Sequence, residues 1–558
     1  MSMKEMPTMT SVDGGKVWKH SFEKFKATVY VPDNDLMDDV LNYGFIAPYL
    51  LVFGEQDYSD DYSGAVQFAR TNGFEAIARK YGSSVVFVYP TSDGGWDNAA
   101  PDLFSEIISN SKIHEFYEDG VVKFYNRFTK QLEGHYIRGA IFRTCLYGFG
   151  KSADYIAAHC LNHFEGDGLW GRADCAPVVC TLSSLSDGAE IKIEADDIPV
   201  ISYGNSSKVN ELFKSKCRWF LEKPEPDFVA DMEGFAKQFR RMLGEMEVDP
   251  DLEKDGLKID PCVITVKTSL DNCGNDKGTS EHKLGYFAFY NKSIFDSGKE
   301  PVPLVLAFHG GGDSSFYISY ISDWASIAHR YDFLLVAVEN HLNSTATEMV
   351  ELVAHLKKQY NIDPTRIYAS GFSMGGCKTW DIIQEYPTLI AAAAPMDATF
   401  DVGCNLYGQT VAGGINKTES VPTYYIGGEI TPLPELPFQA QKCIDRMKYI
   451  LDLNEATKAD SYNVKLEDKD NWQNKIWGID GDYTHAVVDP KRKGKLTLQF
   501  FTRNDGKCYN VFGSIDNQGH ECRPHTCEYA WRFMSCFTRM ANDQITGGEL
   551  EQVKKALE

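Results

Sequence analysis

The chain has 558 residues, 43% of them hydrophobic and 13% aromatic, with a formal charge of −23 and 14 cysteines. That length exceeds one ordinary core and points to two domains, while the apolar and aromatic content excludes a disordered chain. The acidity excludes a phosphate-binding face, because Arg240-Arg241 and Lys491-Arg492-Lys493 are short basic clusters without interleaved aromatics, so no nucleic-acid partner is expected. The N-terminus MSMKEMPTMTSVDGG lacks a charged start followed by an apolar core, and no apolar run approaches about 18 residues. The expectation is a soluble, cytoplasmic protein without a membrane partner. The cysteines are scattered like buried thiols, with a denser group at Cys508, Cys522, Cys527 and Cys536. No C-x-x-C pair occurs there, so no metal site is expected; a disulfide is the alternative for a secreted chain.

In chain order, KATVYVP (26–32) and PYLLVFG (48–54) are apolar, β-branched and bounded by turn residues, which predicts strands. Residues 73–81 are helical in pattern, SSVVFVY (83–89) reads as a buried strand, and IFRTCLYGFG (141–150) reads as strand and turn. A helix over 153–160 and strands over 176–182 and 198–203 follow. From Pro261 the order begins again, with strands at 263–267 and 284–290, VPLVLAFHGGGDSS (302–315), a helix over 321–331 and FLLVAVEN (333–340). A helix over 348–360 then leads into RIYASGFSMGGCKTW (366–380). Strands alternating with helices imply an α/β fold, a mainly parallel sheet flanked by helices.

The two halves align in four places. FEAIARKYGSSVVFVYP mirrors WASIAHRYDFLLVAVEN, PYLLVFGEQDYSDDY mirrors VPLVLAFHGGGDSSF, LYGFGKSADYIAAH mirrors ASGFSMGGCKTWDI, and DIPVISYGN mirrors SVPTYYIGG. The expected organisation is a tandem duplication, with domains at 1–245 and 246–558 joined by an acidic surface connection containing KPEPDF and VDPDLEKDG. The chemistry of the halves is unequal. Gly150 stands in the slot of Ser373, Phe53-Gly54-Glu55-Gln56 replaces Phe308-His309-Gly310-Gly311, and no histidine follows His163 until His282. Ser152, two residues past the apex, should lie on the helix. The first half is expected to be a non-catalytic scaffold, with cover of the active site and assembly into an oligomer as roles open to it.

Gly371-Phe372-Ser373-Met374-Gly375 joins strand to helix, and glycines two before and two after the serine avoid Cβ clashes in a strained turn. Ser373 is the candidate nucleophile. His309-Gly310-Gly311-Gly312 ends a strand where side-chain-free amides can crowd one oxygen, so the oxyanion donors are expected from Met374 and one of Gly310 or Gly311. His309 precedes the nucleophile and is expected to position this loop. For the base, His520 in YNVFGSIDNQGH is preferred over His485 and His525, because an aromatic helix over 529–537 can hold its loop against the sheet. For the acid, Glu429 at the end of VPTYYIGG comes first, Glu435 second and Asp397 third.

With FHGGGD, GFSMGG and the late NQGH in place, residues 261–540 resemble the α/β-hydrolase superfamily, within it the poly(3-hydroxybutyrate) depolymerase and feruloyl-esterase-like group. The resemblance implies carboxylic ester hydrolysis without metal or organic cofactor, with Ser373 as nucleophile and His520 as base. The acid loop departs from the group's pattern: an aspartate tends to come three residues after a glycine, and Thr431 stands at that distance from Gly428. The first half resembles the same fold without its motifs. The expected activity is a serine esterase acting on a small soluble ester. A serine peptidase or acyltransferase on the same triad, and a non-catalytic carbohydrate- or partner-binding protein, are the alternatives.

Overall fold

A computed structural model describes the chain except residues 1–8, 34–47, 82, 111–115, 119–120, 127–130, 134–139, 162–176, 178, 194–197, 236–238, 243–244, 249–251, 271–275, 312–314, 340, 342–343, 399–400, 412, 432, 489–493, 517 and 523. Gly312, Lys491-Arg492-Lys493 and the start of the strand expected at 176–182 therefore lie outside the described residues. The chain divides into two compact units, Met1–Asp251 and Leu252–Glu558.

The first unit is built on a sheet of β1 (Thr10–Val12), β2 (Gly15–Ser21), β3 (Phe25–Pro32), β4 (Pro48–Phe53), β5 (Val85–Pro90), β6 (Ala140–Phe149), β7 (Val179–Ser183), β8 (Val200–Tyr203) and β9 (Phe220–Lys223). Its order is β1-β2-β3-β5-β4-β6-β7-β8-β9, with the strands from β5 to β9 parallel. Helices α1 (Phe74–Tyr81) and α2 (Lys151–His159) follow the pattern read from the sequence. The stretch expected as an acidic connection contains instead a helix, Phe228–Phe235, packed into this unit. Phe228 stacks on Phe74 at 5.1 Å, and buried Asp231 accepts from the Tyr203 hydroxyl and the Lys223 ammonium. The charges of KPEPDF read as surface because the aromatic partners of its Phe228, Phe74, Tyr147, Phe149 and Tyr203, lie outside the local stretch.

The second unit carries β10 (Leu257–Leu270), β11 (Asp276–Asn291), β12 (Val302–Phe308), β13 (Leu334–Val338), β14 (Ile362–Phe372), β15 (Ala392–Met396), β16 (Thr423–Gly428), β17 (Tyr483–Val488), β18 (Lys495–Thr502) and β19 (Cys508–Ile515). The order is β10-β11-β13-β12-β14-β15-β16-β19-β18-β17, parallel from β13 to β19. The first eight of these strands follow the same order as β2 to β9 of the first unit. Both sheets are thus the mainly parallel, helix-flanked sheets of an α/β-hydrolase fold. The expected strands at 263–267 and 284–290 are parts of the two long strands of one antiparallel hairpin, β10 and β11.

Around the second sheet lie α3 (Trp324–Tyr331), α4 (Ala346–Gln359), α5 (Met374–Glu385), α6 (Gln441–Leu453) and α7 (Pro524–Met534). Helix α5 is buried almost all round, from Gly375 to Gln384, so its polar side chains find internal partners. Lys378 donates to the Ser344 carbonyl at 2.6 Å and lies 3.5 Å from Asp381. Helix α7 starts five residues earlier than expected, with proline in its first turn where a missing N–H costs no bond. It ends before Phe537, which begins a short strand. Trp531 on α7 stacks on Phe333 at 4.2 Å. No helix among the described residues is long and apolar enough to cross a membrane.

Candidate active site

Strand β14 runs beside β12 and β15 with Gly371 opposite Phe308 and Phe372 opposite Met396, so its end sits at the middle of the sheet. The chain then turns into α5 within one residue. Ser373 has φ 56 and ψ −117, a backbone region costing about 1–3 kcal/mol for a residue with a side chain. Its N–H donates to the Met396 carbonyl at 2.9 Å, and its own carbonyl accepts from Cys377 at 3.0 Å, which holds the turn between strand and helix. The flanking glycines are required by close approach. A Cβ on Gly375 would penetrate the Phe308 carbonyl, and one on Gly371 the Gly375 carbonyl.

The Ser373 hydroxyl donates to Nε2 of His520 at 2.9 Å. On the other side of the ring, Nδ1–H donates to Oε1 of Glu435. His520 stands in the loop between β19 and α7, with the Phe372 ring 4.7 Å from the imidazole. Burial holds its pKa below the ordinary value, with the carboxyl groups of Asp397 and Glu521 pulling the other way.

Glu435, not Glu429, faces the imidazole. Glu429 sits in the turn after β16, where its amide donates to Ile515 and its Oε1 accepts from the Ser514 hydroxyl at 2.7 Å. Those bonds tie its carboxylate to the end of β19. Glu435 reaches the imidazole because its loop doubles back. Gln439 accepts from the amides of Glu435 and Leu436 at 2.9 and 2.8 Å, and the Tyr425 hydroxyl donates to the Glu435 carbonyl at 2.6 Å. Thr431, in the place where the resembling group tends to carry an aspartate, donates from Oγ1 to Oε1 of Glu435 at 3.0 Å. A longer carboxylate four residues on thus occupies the region, and the threonine supports it.

Asp397 ends β15 in left-handed backbone, φ 48, with its amide donating to Ile426 and its Oδ1 accepting from Gly428 at 3.2 Å. One ligand-type atom each from Asp397, Glu435 and His520 lies within 4.8 Å of the others. The direct hydrogen bond between Nδ1 and Oε1 leaves no space for an ion between them, and Nε2 is engaged by Ser373. Burial, and then the hydrogen bond and charge of Glu435, push the Asp397 carboxyl well above the usual range. Burial pushes Glu435 up to about 7, with Thr431 and Arg446 among the groups pulling the other way.

Gly310 lies against Ser373: a Cβ there would stand 3.5 Å from Ser373 Cβ and 3.0 Å from the Phe372 ring. His309 is buried with Nδ1 2.7 Å from the Gly310 carbonyl and Nε2 on the Glu339 carbonyl, a staple between this loop and the end of β13. Glu339 continues that staple, accepting from the Ser315 amide at 2.9 Å and from its hydroxyl. Buried Glu339 and Ser315 escape sequence reading, since neither falls in a motif. Met374 opens α5 next to Ser373, and Gly311 is exposed at the loop surface. His485 lies within β17, the edge strand, and not in a turn, with β18, β19 and β16 between it and the elbow strands. The His525 side chain lies outside the described residues. Of the C-terminal cysteines, Cys522 and Cys527 meet with sulfurs 3.5 Å apart.

The first unit repeats the elbow backbone. Gly150 has φ 53 and ψ −120, its amide donates to Ser183 at 2.9 Å, and its carbonyl accepts from Asp154 at 3.1 Å. Phe53 pairs with Gly148 as Phe308 pairs with Gly371. A Cβ on Gly150 would stand 2.6 Å from Oε1 of Glu55. Ser152 is buried, its hydroxyl donating to the Phe53 carbonyl at 2.6 Å and accepting from Phe149 N at 2.8 Å.

No family model matches the chain. Over 135 residues it is 30% identical to the bifunctional acetylxylan esterase/xylanase XynS20E of Neocallimastix patriciarum, covering 23% of this chain and 19% of that protein. Over 113 residues it is 26% identical to poly(3-hydroxyalkanoate) depolymerase C of Paucimonas lemoignei, covering 17% of this chain and 27% of that one. The chain thus spans about a fifth and about a quarter of these relatives' lengths. Among solved structures, an acetyl xylan esterase from Aspergillus awamori is matched with a TM-score of 0.31 and 12% identity, over 49% of this chain and 99% of that one. By its sheet order, its strand–elbow–helix and these sequence relatives, the chain resembles the α/β-hydrolase superfamily, on the side of its ester-cleaving depolymerases and acetylxylan esterases.

Proposed function

We propose that the second unit hydrolyses carboxylic esters through an acyl-enzyme on Ser373. The observation that carries this is the continuous relay from the Ser373 hydroxyl through His520 to the Glu435 carboxylate. Glu435 fixes the tautomer with the proton on Nδ1, leaving the Nε2 lone pair for the serine proton. As Oγ attacks the ester carbonyl, Nε2 takes that proton and the amides of Met374 and of Gly310 or Gly311 receive the developing oxyanion. The imidazolium then protonates the departing alcohol, and water repeats the sequence on the acyl-enzyme. The first unit is a non-catalytic copy, because Glu55 stands where a nucleophile's side chain would be. Small soluble esters come first as substrates, and the relatives' names make acetyl esters of a polysaccharide the next class to try.

The test is hydrolysis of p-nitrophenyl acetate together with labelling by a fluorophosphonate. Wild type should turn over and be labelled at Ser373, and Ser373→Ala should lose both while melting as wild type does. Undiminished turnover by Ser373→Ala would sink the proposal.

A further inference from the structure

Resting on that reading of the site, the surroundings of Glu435 carry one step more. A carboxylate oxygen of Asp397 and one of Glu435 lie within 4.8 Å of each other, and both side chains are buried. Two carboxylates at that distance cannot both be ionised, so the pair holds a proton. The bonds decide where. Oε1 of Glu435 accepts from His520 Nδ1–H and from Thr431, as an anion should, while Oε2 meets no N–H or hydroxyl in hydrogen-bond geometry. The Gly428 amide is near, but its bond goes to Oδ1 of Asp397. Oε2 of Glu435 is then left without a donor, and a proton on the neighbouring Asp397 carboxyl satisfies it. The other titratable or charged groups facing the pair are Arg446 and Cys443 from α6, Tyr424 and Tyr425 from β16, and His520 and Glu521 from the base loop. Arg446 is the permanent cation among them, matching one negative charge rather than two.

We propose that Asp397 is a neutral positioning residue: it keeps its carboxyl proton at neutral pH and donates it to Oε2 of Glu435, so that the triad acid is a carboxyl pair with a single negative charge. The proton holds Glu435 in the rotamer that meets Nδ1, and it prevents a second charge from locking the imidazole in its protonated form. Nothing is consumed; one O–H bond on Asp397 persists through the cycle.

Two substitutions compatible with the left-handed backbone separate this from a plain structural role. Asp397→Asn keeps a neutral donor and should retain most of wild-type kcat, whereas Asp397→Gly removes the donor and should lower kcat about 10- to 100-fold with little change in KM. If Asp397→Asn falls as far as Asp397→Gly, an ionised Asp397 is required and the proposal is overturned. A second measurement does not depend on activity: the infrared difference between wild type and Asp397→Asn near pH 8 should contain the C=O stretch of a protonated carboxylic acid. Absence of that band overturns the proposal even if neither variant is active. Failure of Ser373 labelling in wild type would instead defeat the esterase reading and leave the infrared result standing.

Discussion

Replacing Glu435 by glutamine separates the two carboxylates that compete for the role of triad acid. In the folded site, Oε1 of Glu435 is the acceptor for Nδ1–H, and Ser373 donates to Nε2 at 2.9 Å. A glutamine keeps the shape but can turn its NH2 toward Nδ1, which moves the imidazole proton to Nε2 and removes the base from the serine. In serine proteases the equivalent change costs about 10⁴ in kcat. At about 1.4 kcal/mol per tenfold that is roughly 5–6 kcal/mol of transition-state stabilisation. Glu429→Gln has no such route, since its carboxylate accepts from Ser514 at 2.7 Å at the end of β19. Its expected effect is within about twofold, the range of substitutions away from special features. The assay is kcat on p-nitrophenyl acetate near neutral pH, with the rate of fluorophosphonate labelling as a second reading. A large loss in Glu429→Gln beside a near-normal Glu435→Gln would refute the reasoning.

Three further outcomes follow from particular contacts. Burial pushes Glu339 up to about 7, above an unfolded value near 4.5, so the folded state binds the extra proton between those values. Its contribution to stability is present at low pH, is lost as pH rises from about 4.5 to 7, and is level above that. Calorimetry should show Glu339→Gln gaining about 3 kcal/mol over wild type at pH 8 and little at pH 4.5, and the opposite slope would count against it. Gly375→Ala places a Cβ inside the Phe308 carbonyl and should cost about 3 kcal/mol or more; a melting temperature equal to wild type would show that the elbow is looser than described. Ser152→Ala removes the donor to the Phe53 carbonyl and should lower stability by about 1–3 kcal/mol with unchanged esterase kcat, so a catalytic loss would mean the units are functionally coupled.

What the sequence shows of this fold and site follows the range of each interaction. The elbow is legible because its strand, apex and helix are contiguous, and its glycines answer to steric limits set within a few residues. The sheet order is legible through the repeat, since paired segments such as 74–90 and 324–340 place α1 and β5 against α3 and β13. The acid is not legible in that way. Glu429 stands at the strand end, where a short loop would put it, yet which carboxylate turns inward is decided by Gln439, Tyr425 and Thr431 gripping the loop around Glu435. Similarly, the helix Phe228–Phe235 is amphiphilic toward aromatic partners far back in the chain, and local charge outweighs them in a linear reading. Glu339 lies outside every motif, and only the closure of β13 beside the HGGG loop gives it a role.

The elbow itself shows how the two units can differ in chemistry while sharing a backbone conformation. Ser373 and Gly150 share nearly the same dihedrals, φ 56, ψ −117 and φ 53, ψ −120, and matching amide bonds to the neighbouring strand. That conformation is set by the need to leave a sheet edge-on and enter a buried helix in one residue, so it serves folding in both units. With a serine it costs about 1–3 kcal/mol, and a glycine largely removes that cost. On the reading proposed above, losing the nucleophile therefore relieved strain in the first unit. It also opened the space beside Gly150 that Glu55 fills, where Gly310 in the second unit must stay bare against Ser373. At the elbow itself the units differ at two positions that exchange a small residue for a reactive or charged one, Gly150 against Ser373 and Glu55 against Gly310. Gly310 is crowded from two sides, since a Cβ there would stand 3.0 Å from the Phe372 ring and 3.5 Å from Ser373 Cβ.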